Sequence, residues 1–211
     1  MAGLVNTLCG KLDLSIPSDL QNKLMDVPAG PLLDLAAVNI QRGRDHGIPG
    51  YTTYVKRCLG IDVKSFSDLT KANWPSALTT RAQRVYTKVE NIDLWFGLLS
   101  ETVDRTKFAA DVITGPTLTC LLGEQFRDLK RGDRFFYENA PDATKNTDKT
   151  AFTVGQLNEI KKVSLSTLLC NNFDVAKIQP DVFFVRTGVR PNNDKVACST
   201  YAQMNLTQWK A

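Results

Sequence analysis

Apolar residues recur at helical spacing along most of the chain, and this pattern predicts a mainly α-helical fold with little β structure. The stretch GPLLDLAAVNIQR, residues 30–42, is apolar enough to be buried nearly all round; Pro31 near its start and Gly43 at its end match helix punctuation. SALTTRAQRVYTKVE (76–90) and GPTLTCLLGEQFRDLKRG (115–132) are amphipathic, with Gly132 as a C-terminal stop. Ser18 with Gln21, and Thr153 with Gln156, fit the capping box and predict helices over about 18–26 and 153–164. The β-branched and aromatic run VFFVRTG (182–188) is the best strand candidate, and ENAPDATKNTDKT (138–150) reads as a polar loop. No internal repeat, low-complexity tract or linker interrupts this order.

Composition narrows the function classes. A chain of 211 residues that is 43% hydrophobic can bury a core as one domain or a large part of one. Its net charge of +4 is close to average and does not argue for a nucleic-acid partner, which calls for clustered Lys and Arg. The densest basic stretch, RDLKRGDR (127–134), holds two aspartates and reads as a solvated helix end. No apolar run reaches the ~20 residues of a membrane span. The N-terminal MAGLVNTLCGKLDLS has no basic leader and too short an apolar core for a recognisable signal peptide.

Five cysteines are spread along the chain at Cys9, Cys58, Cys120, Cys170 and Cys198. With no CxxC pair and one histidine, no metal site is expected. The cysteines read equally as buried thiols of a cytosolic protein or as two disulfides with one left over. The Asn205–Thr207 sequon fits a secreted protein but is weak evidence alone.

Candidate chemistry concentrates in LDLAAVNIQRGRDHGIPGY, residues 33–51. The GLVNTLCGK segment lacks phosphate-loop spacing, no GxSxG elbow occurs, and a hydrolase triad has no partners for one histidine. Asn39 and Arg42 lie three apart, so a helix places them on one face with Leu35 and Ala36. A buried unpaired polar group costs about 1–3 kcal/mol, and a charge more. Arg42 therefore needs an anion, and its planar fork suits a carboxylate. Periodicity alone gives the plain expectation of a satisfied core asparagine and a structural Arg–Asp pair. His46, between Asp45 and Gly47, reads as a turn histidine rather than a ligand.

DLAAVNIQRGRDHGIPGY resembles a signature of the animal haem peroxidases, the family of myeloperoxidase, lactoperoxidase, peroxidasin and peroxinectin-like proteins. NIDLWFGLLSE (91–101), GPTLTCLLGEQFRDLKRGDRFFYEN (115–139) and CSTYAQMNLTQW (198–209) resemble further blocks in the family's order. The clearest match covers 30–209, within a partial domain of 1–211. The related fatty-acid dioxygenases usually lack the full QRGRDHGIPGY. One small departure is Leu98 after Gly97, where the family often has a second glycine.

The resemblance implies the C-terminal portion of the helical peroxidase fold and a haem cofactor in the intact enzyme. Asn39 would hydrogen-bond the proximal histidine that holds the iron, and Arg42 would contact a haem propionate. It also implies disulfides Cys58–Cys120 and Cys170–Cys198, an oxidising extracellular or granule-lumen compartment, and a leftover Cys9. The family's distal and proximal histidines, distal arginine, ester-forming acidic residues and calcium loop all lie upstream, so no catalytic residue and no Ca2+ site is expected in this chain. The implied activity is peroxide-dependent oxidation of halide or organic donors. The isolated chain is expected to be inactive, with the N-terminal remainder as its partner in a longer enzyme or as a second chain. Two alternatives stay open: a non-catalytic extracellular adhesion or interaction module, and a cytosolic helical protein with five thiols.

Overall fold

The computed structural model describes residues 2–24, 33–104, 106, 112–139, 151–185 and 192–210. Among them nine α-helices carry the fold, and β structure is confined to Lys177–Ile178 (β1) paired antiparallel with Val196–Ala197 (β2). The chain divides into two compact units, one of Lys11–Phe126 and one of Met1–Gly10 with Arg127–Ala211. No helix of the described residues is long and apolar enough to cross a membrane.

The first unit holds α2 (Ser18–Gln21), α3 (Leu35–Asp45), α4 (Tyr51–Leu59), α5 (Ser76–Val85), α6 (Leu94–Ser100) and the start of α7 (Pro116–Gly132). Asp34 starts α3, accepting from the backbone N–H groups of Ala36 and Ala37 at 2.8 and 3.1 Å. Gly60, at φ +68°, ends α4 in the left-handed conformation that glycine adopts without a Cβ penalty. Tyr51, Val55, Leu69, Ala72 and Ile92 are wholly buried at the centre of the core. Gly97 lets α6 approach this core, since a Cβ there would lie 2.2 Å from Tyr51 Cγ. Cys58 is bonded to Cys120, tying α4 to α7, and Arg57 pairs with Glu124 at 2.6 Å beside that bridge.

A buried polar network crosses this core. The Tyr51 hydroxyl donates to Glu101 Oε1 at 2.6 Å and accepts from Trp74 Nε1 at 3.0 Å. Glu101 Oε2 accepts the Thr117 backbone N–H at 2.8 Å, so a carboxylate sits at the N-terminus of α7, where the helix dipole favours it. Burial pushes the Glu101 carboxyl up from its ordinary range against the hydrogen bonds from Thr117 and Tyr51. The Tyr51 phenol is pushed up strongly, by burial first and the neighbouring Glu101 second.

The second unit contains α1 (Ala2–Asn6), α8 (Val154–Lys161), α9 (Leu165–Asn172) and the β ladder. Val5, Leu169 and Ile178 form its buried centre, joined by Cys170, Cys198 and Tyr201. The Cys170–Cys198 disulfide links α9 to the residue that follows β2. Two lysines, Lys130 and Lys161, hold Glu138 well below the usual carboxylate range, at about 2.

Several expected elements change in detail. The Thr153–Gln156 capping box is present, whereas Ser18 is the first residue of α2 behind a Pro17 cap and its side chain caps nothing. The basic stretch 127–134 is exposed throughout, as a solvated helix end should be. Helix α3 begins at Leu35 behind its Asp34 cap and runs through Gly43 to Asp45; Pro31 lies outside the described residues. None of its residues is buried, against the expectation of burial all round: Asn39, Ile40, Arg42 and Gly43 border an open cavity, and Ala37, Gln41, Arg44 and Asp45 are exposed away from it. Helix α5 stops at Val85 rather than continuing to 90, and Tyr86 leaves the helix to place its hydroxyl on Asp93 at 2.9 Å.

Residues 182–185 are not a strand. Asn193 holds this stretch in a turn, accepting from Asp181 N at 2.9 Å and donating to the carbonyls of Asp181 and Phe184 at 2.8 and 2.7 Å. One amide side chain thus satisfies backbone groups that a ladder would otherwise pair. The rest of that strand expectation, 186–188, lies outside the described residues, as does 140–150 of the expected loop.

Candidate functional site

Helices α3 and α6 bound a cavity of about 330 Å3. Its apolar side is Ile40, Ile48, Leu94, Trp95 and Leu98; its polar lining is Asn39, Arg42, His46 and Asp93. Asn39, Arg42, Gly43 and His46 follow at helical spacing, which is why α3 can aim them at one space. The sequence expectation that Asn39 and Arg42 share a face holds in this sense, although Leu35 and Ala36 do not line the cavity.

The expected Arg–Asp pair is present with a different arginine. Arg44 grips Asp93 with both ends of its fork, Nε to Oδ1 at 2.9 Å and Nη2 to Oδ2 at 2.8 Å, and Tyr86 donates to the same Oδ2. The Arg44 hydrogen bond holds Asp93 below the usual carboxylate range, against partial burial. Burial and the adjacent Asp93 push the Tyr86 phenol up to about 12. Neither the Arg42 guanidinium nor the Asn39 side chain makes a hydrogen bond or ion pair among the described residues. The plain expectation for these two residues is therefore corrected: neither is satisfied internally.

His46 caps the C-terminus of α3, with its Nδ1 2.8 Å from the Arg42 carbonyl oxygen. A carbonyl oxygen only accepts, so this contact takes the tautomer with the proton on Nδ1. The turn role fits, but His46 also lines the cavity, which the sequence reading did not anticipate. Asp93, Leu94, Trp95 and Leu98 were likewise given no role from sequence, although their signal was the block NIDLWFGLLSE. No group of three or more His, Cys, Asp or Glu among the described residues could hold a metal ion.

The recess thus presents an unpaired guanidinium and an unpaired amide on one wall, opposite apolar side chains. The chain belongs to the animal haem peroxidase family: the model of that family, animal haem peroxidase, matches residues 1–183. It is 37% identical over 198 residues to the peroxidasin homolog pxn-2 of Caenorhabditis elegans, covering 93% of this chain and 14% of that protein. It is 33% identical over 198 residues to human thyroid peroxidase, covering 94% of this chain and 19% of the relative. The chain thus spans less than a quarter of these curated relatives. Among solved structures, peroxidase A from Dictyostelium discoideum is 35% identical, with a TM-score of 0.49 over 61% of this chain and 24% of that one.

Haem is the cofactor that the family implies, and the cavity suits part of it. The apolar side chains suit a macrocycle face, and Arg42 has the fork for a carboxylate.

Proposed function

We propose that this chain is the C-terminal portion of a peroxidase catalytic domain and forms the proximal wall of its haem pocket. The observation that carries the reading is the pair of unpartnered side chains, Asn39 and Arg42, on one wall of the apolar cavity. When bound, haem supplies the oxidation chemistry driven by hydrogen peroxide.

In this reading Asn39 accepts the ring N–H of an imidazole brought by the remainder of the domain. That bond fixes the imidazole tautomer and orientation and raises its basicity. Arg42 forks onto a propionate, and Leu94, Trp95 and Leu98 keep water from the ring. The chain by itself lacks the iron ligand and the distal acid–base groups, so its partner is the N-terminal remainder, which also carries any Ca2+ site. Halide or organic molecules are the electron donors of the intact enzyme.

The test is an absorption spectrum with haemin. Purified chain is expected to give haemin no sharp Soret band and to add no peroxidase activity. A sharp Soret band with donor turnover would overturn the reading and make His46→Ala the next variant. In the chain joined to its remainder, Asn39→Ala is expected to keep the Soret band while raising the midpoint potential of the iron, since a less basic imidazole stabilises the ferric state less.

A secreted setting is part of the same proposal. The Cys58–Cys120 and Cys170–Cys198 bridges belong to an oxidising compartment, and Cys9 is free and exposed. Five reduced thiols do not fit this pattern. Asn205 is exposed at the start of the Leu206–Trp209 turn, with its Oδ1 accepting from Thr207 N at 3.0 Å and its Nδ2 unpartnered. Secreted from an animal cell, the chain is expected to carry one N-linked glycan; a peptide N-glycosidase mass loss that persists in Asn205→Gln would rule this site out.

A further inference from the structure

We infer that Arg44 keeps Arg42 available for an anion by occupying Asp93, which makes Arg44 a positioning residue for a cavity it does not line. This rests on the proposed contact between Arg42 and a haem carboxylate.

Asp93 lies between two spaces. It lines the 330 Å3 cavity together with Arg42, and also a neighbouring polar groove together with Arg44 and Tyr86. Arg42 and Arg44 are two residues apart on α3, so their side chains leave the helix about 200° apart. Arg44 therefore reaches Asp93 from the groove while Arg42 stands on the cavity side. A carboxylate beside an unpaired guanidinium would ordinarily capture it in a two-pronged bond. Here both prongs are taken: Oδ1 by Arg44 Nε, and Oδ2 by Arg44 Nη2 and Tyr86 Oη. The Asp93 side chain is only 12% exposed, so water offers it little compensation if Arg44 leaves.

The local charge makes the same point. Arg42, Arg44 and Asp93 sum to one positive charge, and the unpaired one is Arg42. Without Arg44 the sum is zero, and Asp93 with only Tyr86 left as donor would turn to Arg42. The cavity would then satisfy itself and lose its attraction for an external carboxylate.

The test uses the full chain and metal-free protoporphyrin IX, whose two propionates are present while iron ligation is not. Its dimethyl ester is the uncharged control. Binding is followed by porphyrin fluorescence at low ionic strength, where surface charge is least screened. The unaltered chain is expected to favour the acid over the ester by about tenfold, the size of one charge-assisted hydrogen bond. Arg42→Gln removes that preference. Arg44→Gln is expected to remove it as well, although Arg44 does not touch the ligand. Asp93→Asn breaks the same clamp but leaves Arg42 unpaired, so it keeps the preference, and Arg44→Gln with Asp93→Asn regains it. A merely structural clamp would make Asp93→Asn behave like Arg44→Gln. If the unaltered chain shows no acid preference, the propionate reading itself fails. If it does show one and Arg44→Gln retains it, only the present inference falls.

Discussion

Tyr51→Phe is expected to destabilise the unit of residues 11–126 by about 3 kcal/mol, an unusually large effect for removing one oxygen atom. The hydroxyl serves two buried groups at once, donating to Glu101 and accepting from Trp74. Deleting it leaves a carboxylate oxygen and an indole N–H without partners, each costing about 1–3 kcal/mol in a site that water does not reach. Tyr51 has no solvent exposure and Glu101 5%. The substitution should also steepen the dependence of stability on pH. The folded-state carboxyl of Glu101 is raised above its ordinary 4.5, so the folded state binds the proton more tightly than the unfolded one. Its contribution is then fully present below about pH 4.5 and is lost as pH rises through the folded value. Removing a hydrogen bond that favours the charged form raises that value further, so Tyr51→Phe should lose more stability than the unaltered chain as pH rises above about 4.5. Urea unfolding monitored at several pH values reads both effects. A loss below 1 kcal/mol at pH 7 would mean that the network is not closed as described.

Replacing Cys58 and Cys120 together by serine is expected to cost about 4 kcal/mol, from the entropy of an unfolded chain released from a loop of that length. The two residues are 62 positions apart, against 28 for Cys170 and Cys198, so the first bridge restrains the unfolded chain more. With only about 5–15 kcal/mol in a typical domain, this loss should lower the folded fraction measurably at 37 °C. The double variant is the right comparison, because a single serine leaves a thiol free to pair with exposed Cys9. Equal unfolding midpoints for the oxidised and double-serine chains would show that the bridge contributes nothing to stability.

Local pattern read well where local forces decide. The amphipathic period and Gly132 placed α7 to within a residue, and Thr153 with Gln156 marked the start of α8. It failed where distant partners decide. The run VFFV has strand composition, but Asn193, nine to twelve residues away, holds it as a turn. The end of α5 is set by Tyr86 reaching Asp93, a contact that no helical period carries. At the site, the common face of Asn39 and Arg42 was legible because a helix alone produces it. Their lack of partners was not, because it depends on which arginine reaches Asp93, and Arg42 and Arg44 are equally plausible in one dimension. Much of the block NIDLWFGLLSE turns out to be scaffold: Gly97 makes room for Tyr51, and Glu101 closes the buried network.

Helix α6 has a carboxylate at each end, Asp93 as its N-cap residue and Glu101 as its C-cap residue. Asp93 is fastened to α3 through Arg44, and Glu101 to α4 and α7 through Tyr51 and Thr117. A short rod pinned at both ends can neither slide along its axis nor roll about it without breaking a pin. Leu94, Trp95 and Leu98 therefore act as a fixed jaw of the cavity, and any adjustment to the size of what it holds falls to the opposite side, where Ile48 is still 47% exposed.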